Sequence, residues 1–308
     1  MAYLFARATD SIADTDLIDR NQRLEWLNRF RAQFIGDEPE WTVIRSIRTA
    51  LVSHQPSSGE RMLLGRLEDC FRIYSGLESG DRQRIRTLMG TLTKGMEMDL
   101  TVFPGDSMKD LAALETMDDL DRYTYYVAGC VGEFWTATTC AHLSSLRRWN
   151  AEHMAKVGVR FGKGLQLTNV LKDVARDLQR GRCYIPLALL RQAGLAPRDL
   201  LRRENGSAFR PVLIKLARLA MDHLDQGWLY TMAIPRHEIR LRLACMWPIL
   251  LAGETLKRLV GAADLLNPAV IIKVPKSQVY RIMALTMLTG GCAYVGTAYW
   301  GRLRKAVI

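Results

Sequence analysis

The residues best equipped for chemistry in this chain are two pairs of aspartates, each closing a stripe of polar side chains at helical spacing. In the segment "LQLTNVLKDVARDLQRGRCYIP", Gln166, Asn169, Asp173 and Asp177 are offset by 0, 3, 7 and 11 residues. At about 100° per residue, those four side chains fall on one narrow stripe of a helix. Near the start of the chain, Tyr3, Arg7, Asp10 and Asp14 are offset by 0, 4, 7 and 11 residues, again a single stripe ending in two aspartates four apart. A lone DxxxD on a helix is usually a solvated face. Here "LFA" and "SIA" surround the first pair and "LQLTNVL" leads into the second, so both stripes are expected to face a cavity. Four carboxylates facing a shared interior repel one another unless a cation sits among them. Oxygen ligands of this kind suit a hard divalent ion, Mg²⁺ first, which is typically held by a few carboxylates together with substrate phosphates. Lys172, Arg176, Arg180, Arg182 and Arg7 stand close in sequence to the acids and would neutralise the same anion. A diphosphate leaving group is the natural anion, because metal and arginine contacts stabilise the charge that develops as it departs.

These stripes need long helices to carry them, and the rest of the sequence supplies the pattern. Stretches such as "LEWLNRFRAQF" and "RLACMWPILLAGETLKRLVGAADLL" place apolar residues three and four apart. Breaks fall at "GDEPE", "HQPSSGE", "FPGDS", "QRGRCYIP", "GLAPRD", "IPRHE" and "LLNPAVIIKVP". Alternating strand patterns are nearly absent, with "VIIKV" the best candidate. Pro248 sits inside an apolar helical stretch and is expected to kink it. With no fixed-period repeat and no low-complexity linker, the chain reads as a single all-α domain over residues 1–308.

Composition narrows the partners. Hydrophobic residues make up 48% of the 308 residues, enough for a sizeable core. The net charge of +11 favours anionic partners, yet no zinc-finger spacing or aromatic–basic ladder marks a nucleic-acid module, so nucleic acid is not expected. Six cysteines without CxxC spacing read as buried thiols of a reduced compartment, and the histidines lack HExxH spacing. The front of the chain carries charges within its first ten residues and no cleavage pattern, so no signal peptide is read there. Residues 282–300 are uncharged and flanked by Arg281 and Arg302. Rich in Gly, Thr and Ala, that stretch reads first as a buried terminal helix and second as a membrane contact, with the basic closing "GRLRKAVI" suited to an anionic leaflet.

The segments around these residues resemble the squalene and phytoene synthases, which join two isoprenoid diphosphates head to head. "ARATDSIADTD" and "LQLTNVLKDVARDLQRGRCYIPLALLRQAGL" are similar to that family's two aspartate-rich signatures. "GMEMDL" and "DRYTYYVAGCVGEFW" are similar to the two signatures between them, in the same order. The resemblance implies an all-α isoprenoid-synthase bundle around a central apolar tunnel. It implies that Asp10 and Asp14 bind Mg²⁺ and one diphosphate, with Arg7 alongside and Tyr3 lining the cavity. Asp173 and Asp177 would bind Mg²⁺ and the second diphosphate, with Gln166 and Asn169 on the same stripe and Arg182 contacting phosphate. Tyr126, in "YYVAG", matches a tyrosine implicated in proton handling and carbocation steering; its plainer reading is a core aromatic with a partnered hydroxyl. Lys273 and Lys276 fall where squalene synthases place basic residues near NADPH phosphates. The implied reaction converts two farnesyl diphosphates through presqualene diphosphate to squalene. Phytoene or dehydrosqualene synthesis without reduction, and a non-catalytic assembly relative, are the alternatives. Elongating prenyltransferases and terpene cyclases typically show DDxxD runs, which this chain lacks. The resemblance also implies a helix ahead of the first acidic motif, for which there is no room before Asp10. A cytoplasmic protein, peripheral at a membrane surface, is the expected setting.

Overall fold

The computed structural model describes residues 1–15, 18–36, 38–54, 57–289 and 293–308. Asp16 of the first motif, Asp37, Gln55 and Pro56 of the expected breaks, and Gly290, Gly291 and Cys292 of the apolar C-terminal stretch lie outside these residues. Helix dominates, as the periodicity predicts, and the helices gather into two compact units, Met1–Asp106 and Ser107–Ile308.

The first unit comprises α1 (Ala2–Ala13), α2 (Arg20–Ala32), α3 (Trp41–Leu51), α4 (Ser58–Gly65), α5 (Leu67–Ser75) and α6 (Ser79–Val102). On α1, Phe5, Ala8, Thr9 and Ile12 recur at helical spacing and are fully buried. Phe5 enters a cluster of aromatic rings from α2, α5 and the residues following α2: it lies 4.9 Å from Phe34 at 82° and 4.8 Å from Phe71. Phe30 and Tyr74 close the cluster edge-on, the geometry that ring quadrupoles favour. The start of α2 ties down the end of α1. Asp19 caps α2 by accepting from the Asn21 N–H at 2.7 Å, and the buried Arg23 donates to the Ala13 carbonyl at 3.2 Å while pairing with Asp106. The face of α1 opposite Phe5 is thereby fixed in orientation.

The second unit is built on α9 (Ala151–Gln179). Before it come α7 (Met117–Thr124), a π-helical segment (Tyr125–Gly129) and α8 (Cys130–His142); after it come α10 (Leu187–Gln192), α11 (Gly206–Ala233), α12 (Ile239–Gly261), α13 (Lys276–Leu288) and α14 (Ala293–Val307). A capping box between Thr116 and Asp119 starts α7. Glycines set the approach of α8 to α9: a Cβ on Gly132 would overlap the Gly158 backbone, one on Gly162 would overlap the Ala128 carbonyl, and one on Gly158 would sit 2.9 Å from the Gly132 carbonyl oxygen. The only strands among the described residues are β1 (Ala112–Ala113) and β2 (Arg182–Cys183), paired in parallel with Ala112 opposite Arg182. The expected strand "VIIKV" is instead irregular over residues 270–275. It lies between Pro268 and Pro275 and follows a turn in which Asn267 donates to Asp264 and accepts from the Ala269 N–H, and neither described strand pairs with it. Pro248 lies inside α12, which continues past it to Gly261.

Candidate active site

In the first unit, the exposed face of α1 carries the predicted stripe. Tyr3 is 74% exposed, while Arg7 and Asp10 are half-buried. The Arg7 guanidinium bridges two acids, reaching Asp10 Oδ2 at 3.0 Å and Glu60 Oε1 of α4 at 2.9 Å. The helix ends at Ala13, so Asp14 is its C-terminal cap; its N–H donates to the Asp10 carbonyl at 2.8 Å and its side chain is exposed. Burial pushes the Asp10 carboxyl up to about 6; the Arg7 charge pulls the other way, and the negative charge of Asp14 pushes up again. The pair therefore holds negative charge at a cost that one arginine does not remove.

In the second unit, the stripe on α9 is held in place by the helix's other face, where Leu167, Val170, Leu171 and Val174 are buried. Gln166, Asp173 and Asp177 are half-buried and Asn169 is exposed. Asp173 pairs with Arg176 and with Lys172, whose Nζ lies 3.2 Å from Asp173 Oδ2 and also donates to Asn169 Oδ1 at 3.2 Å. The basic turn that follows α9 exists because Gly181 adopts φ +76°, a left-handed conformation that glycine takes without steric cost. The turn feeds Arg182 into β2, where it is buried.

Tyr126 lies in the π-helical segment, which packs against α9. Such single-turn π bulges are frequent at functional sites. Neighbouring Val127 and Ala128 line an apolar cavity of about 240 Å³, walled also by Trp135, Phe161, Leu165 and Tyr230. The Tyr230 hydroxyl is satisfied by Thr136 Oγ1 at 2.9 Å, so the wall presents rings rather than an open polar group. Beside the segment, Lys163 Nζ meets both Asp121 carboxylate oxygens at 2.7 Å and lies 5.8 Å from the centre of the Tyr125 ring. Tyr125 donates to Glu133 Oε2 at 3.0 Å; burial, with Glu133 next, pushes its phenol up to about 12. Glu60, Asp121, Glu133 and Lys163 were not singled out by sequence reasoning. Each stands alone in an ordinary helical surface pattern, and only tertiary contact reveals its partner.

Lys273 and Lys276, the predicted nucleotide contacts, are exposed just before and at the first residue of α13. The described cysteines are unpaired thiols, and Cys70, Cys130, Cys183 and Cys245 are buried. Among the described residues no three or more His, Cys, Asp or Glu side chains converge as a ready metal cage. The chemistry of the donors still fits Mg²⁺: each face offers two carboxylates and no softer ligand, and the raised Asp10 marks charge that a hard cation would relieve. Two carboxylates leave coordination positions for water or phosphate oxygens, the usual arrangement for this ion.

Comparison with known proteins gives these faces a lineage. A family model described as squalene/phytoene synthase matches residues 1–277. Phytoene synthase 2 of Zea mays is 31% identical over 152 residues, a match that spans 48% of this chain and 35% of that protein. Squalene synthase ERG9 of Saccharomyces cerevisiae is 23% identical over 298 residues, spanning 96% of this chain and 62% of the yeast protein. The matched regions thus cover less than two thirds of either relative's own length. Among solved structures, TcSQS in complex with the ligand E5700 superimposes with a TM-score of 0.75 at 20% identity, covering 99% of this chain and 88% of that one. A dehydrosqualene synthase in complex with a ligand superimposes with a TM-score of 0.53 at 19% identity, covering 93% and 96%. At such identities the superpositions speak for a shared fold, and the all-α isoprenoid-synthase architecture is that fold. The family match over nine-tenths of the sequence goes further, and on it the chain belongs to the squalene/phytoene synthase family.

Proposed function

We propose that this protein condenses two isoprenyl diphosphates head to head, and that its substrate is farnesyl diphosphate, converted through presqualene diphosphate to squalene. The observation that carries the reading is the layout of α9. Phe161 and Leu165 wall the apolar cavity, and the same helix then bears Gln166, Asn169, Asp173 and Asp177. At 1.5 Å per residue, Asp173 stands about 12 Å beyond Leu165 along the axis, so one helix serves both an apolar chain and the anionic group at its end.

In this reading Asp173 and Asp177 orient one diphosphate, with Lys172, Arg176 and Arg182 offsetting its charge, and Asp10 and Asp14 orient the other beside Arg7. Mg²⁺, when bound by these aspartates, supplies Lewis-acid stabilisation to the departing diphosphate oxygens. Tyr3, Gln166 and Asn169 add polar contacts to the same groups. The apolar cavity excludes water that would trap the carbocations as alcohols, and its aromatic rings suit positive charge. Tyr126 relays the proton released as the cyclopropane closes, its hydroxyl passing its own proton on to an oxygen of the departing diphosphate as it takes up the new one. Lys273 and Lys276, at the positive end of α13, suit the phosphates of NADPH. A reduced nicotinamide, when bound, supplies the hydride that distinguishes squalene from products formed by proton loss.

The 31% identity to a phytoene synthase favours a second reading, in which no reduction occurs and the product is of the phytoene or dehydrosqualene type. Mass spectrometry of extracts after incubation with farnesyl or geranylgeranyl diphosphate and Mg²⁺, with and without NADPH, separates the two. Squalene formed only with NADPH supports the first reading. A dehydrosqualene- or phytoene-type product regardless of NADPH supports the second. No product from either substrate overturns both and leaves a non-catalytic assembly role.

A further inference from the structure

α9 lays out its chemistry in order. Asp177 and Asp173 stand toward its C-terminal end, Leu165 and Phe161 line the apolar cavity, and Val157 and Met154 lie beyond, buried in a separate apolar cluster. α11 runs antiparallel beside it. A Cβ on Gly164 would meet Leu224, and one on Gly227 would meet the Phe161 ring, so each step forward on α11 is a step back along α9. Tyr230, three residues after Gly227, therefore lies about one turn further from the aspartates.

Three residues stand between the cavity and the cluster. Tyr230, Phe161 and Cys245 each line the cavity, and each belongs to the cluster or packs against it. Met154, Val157 and Ile234 lie in the cluster and do not line the cavity. Phe161 is nearer the aspartates and the Cys245 thiol is small, so the Tyr230 ring forms most of the far wall. That ring is 1% exposed and held from several sides. Its hydroxyl meets Thr136 Oγ1 at 2.9 Å, and Trp149 packs against it edge-on at 5.2 Å and 80°. Trp149 is itself tethered, donating from Nε1 to the Ala233 carbonyl at 3.3 Å. A ring packed this closely on its far side does not swing away from a chain that presses on it.

We propose that Tyr230 sets the upper limit on the length of prenyl chain that the cavity accepts. The proposal rests on the condensation reading, in which a prenyl tail occupies this cavity with its diphosphate at Asp173 and Asp177. A tail that reaches the Tyr230 ring goes no further, because Met154, Val157 and Ile234 already fill the space behind it. The phenol ring takes up about the space of one isoprene unit, so removing it lengthens the cavity at the end away from the acids. Thr136 also donates to the Gly132 carbonyl at 2.8 Å, so its hydroxyl proton keeps a partner when the Tyr230 hydroxyl is lost.

The test is calorimetric titration of the full chain, in Mg²⁺, with thiodiphosphate analogues of geranyl, farnesyl, geranylgeranyl and geranylfarnesyl chains, whose bridging sulfur resists ionisation. The parent's affinity is expected to rise with length as far as farnesyl and to fall at geranylgeranyl. Tyr230→Ala is expected to move that limit up by one isoprene unit, raising affinity for geranylgeranyl relative to farnesyl about tenfold or more. Tyr230→Leu should shift it less in the same direction, and it carries the test if the alanine variant does not fold. Tyr230→Phe keeps the ring and should leave the order of affinities unchanged. A parent limit at geranylgeranyl that rises by one unit in Tyr230→Ala upholds the barrier equally and favours the second reading of the product. A parent without an upper limit, or a folded alanine or leucine variant that keeps the parent's limit, overturns the proposal. Product formation from the ordinary diphosphates, followed in parallel, tests the condensation itself. A limit that moves in a protein forming no product upholds the barrier and overturns only the catalytic reading.

Discussion

Asp10 and Asp173 look alike in the sequence, each the first acid of a DxxxD pair, yet the structure gives them different electrostatic settings. Asp173 sits between two cations of its own helix, whereas Asp10 is burdened by burial and by Asp14 and held by a single shared arginine. The spacing of the acids was legible because helical geometry alone sets it. Their neighbouring cations Arg7, Lys172 and Arg176 were legible too, but contacts between distant segments were not, since Glu60 meets Arg7 across 53 residues of chain and Asp121 meets Lys163 across 42. His223 was equally invisible. Burial first, then the Arg160 and Lys163 charges, hold its imidazole down to about 4, and Arg160 Nε donates to its Nδ1 at 3.1 Å. An unfolded histidine titrates near 6.5 and so takes up its proton before the folded one does as pH falls. The contribution of His223 is therefore full above about pH 6.5 and is lost toward pH 4, at no more than about 1.4 kcal/mol per pH unit. Urea midpoints measured across this range should fall less steeply in His223→Gln than in the parent; equal slopes would contradict the assignment.

At the scale of elements, apolar periodicity located the long helices and the glycine of "QRGRC" located the turn after α9. Two features escaped. The "YYVAG" segment widens into a π turn, and beside it Gly132, Gly158 and Gly162 let helix backbones approach closely, neither of which the apolar periodicity shows. "VIIKV" has strand composition but pairs with neither described strand, and tertiary context overrides β-propensity. Two glycines in contrasting surroundings test the close approach. Gly132→Ala forces apart α8 and α9 and is expected to cost about 1–3 kcal/mol. Gly90→Ala, inside α6 with open space around its Cβ position, is expected to stabilise by roughly 0.5–1 kcal/mol. Thermal melting of the two variants should move in opposite directions. A Gly132→Ala protein as stable as the parent would mean that the close approach is not required.

The whole molecule joins a net charge of +11 to an apolar cavity and two acidic faces, a combination suited to amphiphilic anions. Composition showed the charge and the helical class. The boundary between the two units falls at "FPGDS", a break whose proline and glycine look no different in sequence from those of the other turns between helices. The central claim is that the two acidic faces do the work of a prenyl condensation, and one experiment addresses it directly. The head-to-head product and inorganic diphosphate released from farnesyl diphosphate with Mg²⁺ are to be quantified for the parent, Asp10→Asn and Asp173→Asn. Removing the ionic charge of Asp10 relieves a buried carboxylate, so Asp10→Asn should melt no lower than the parent. The account predicts that each substitution lowers product formation by about 10²-fold or more, in keeping with the loss of a group that stabilises developing charge. Folded variants that form product at the parent's rate would contradict it.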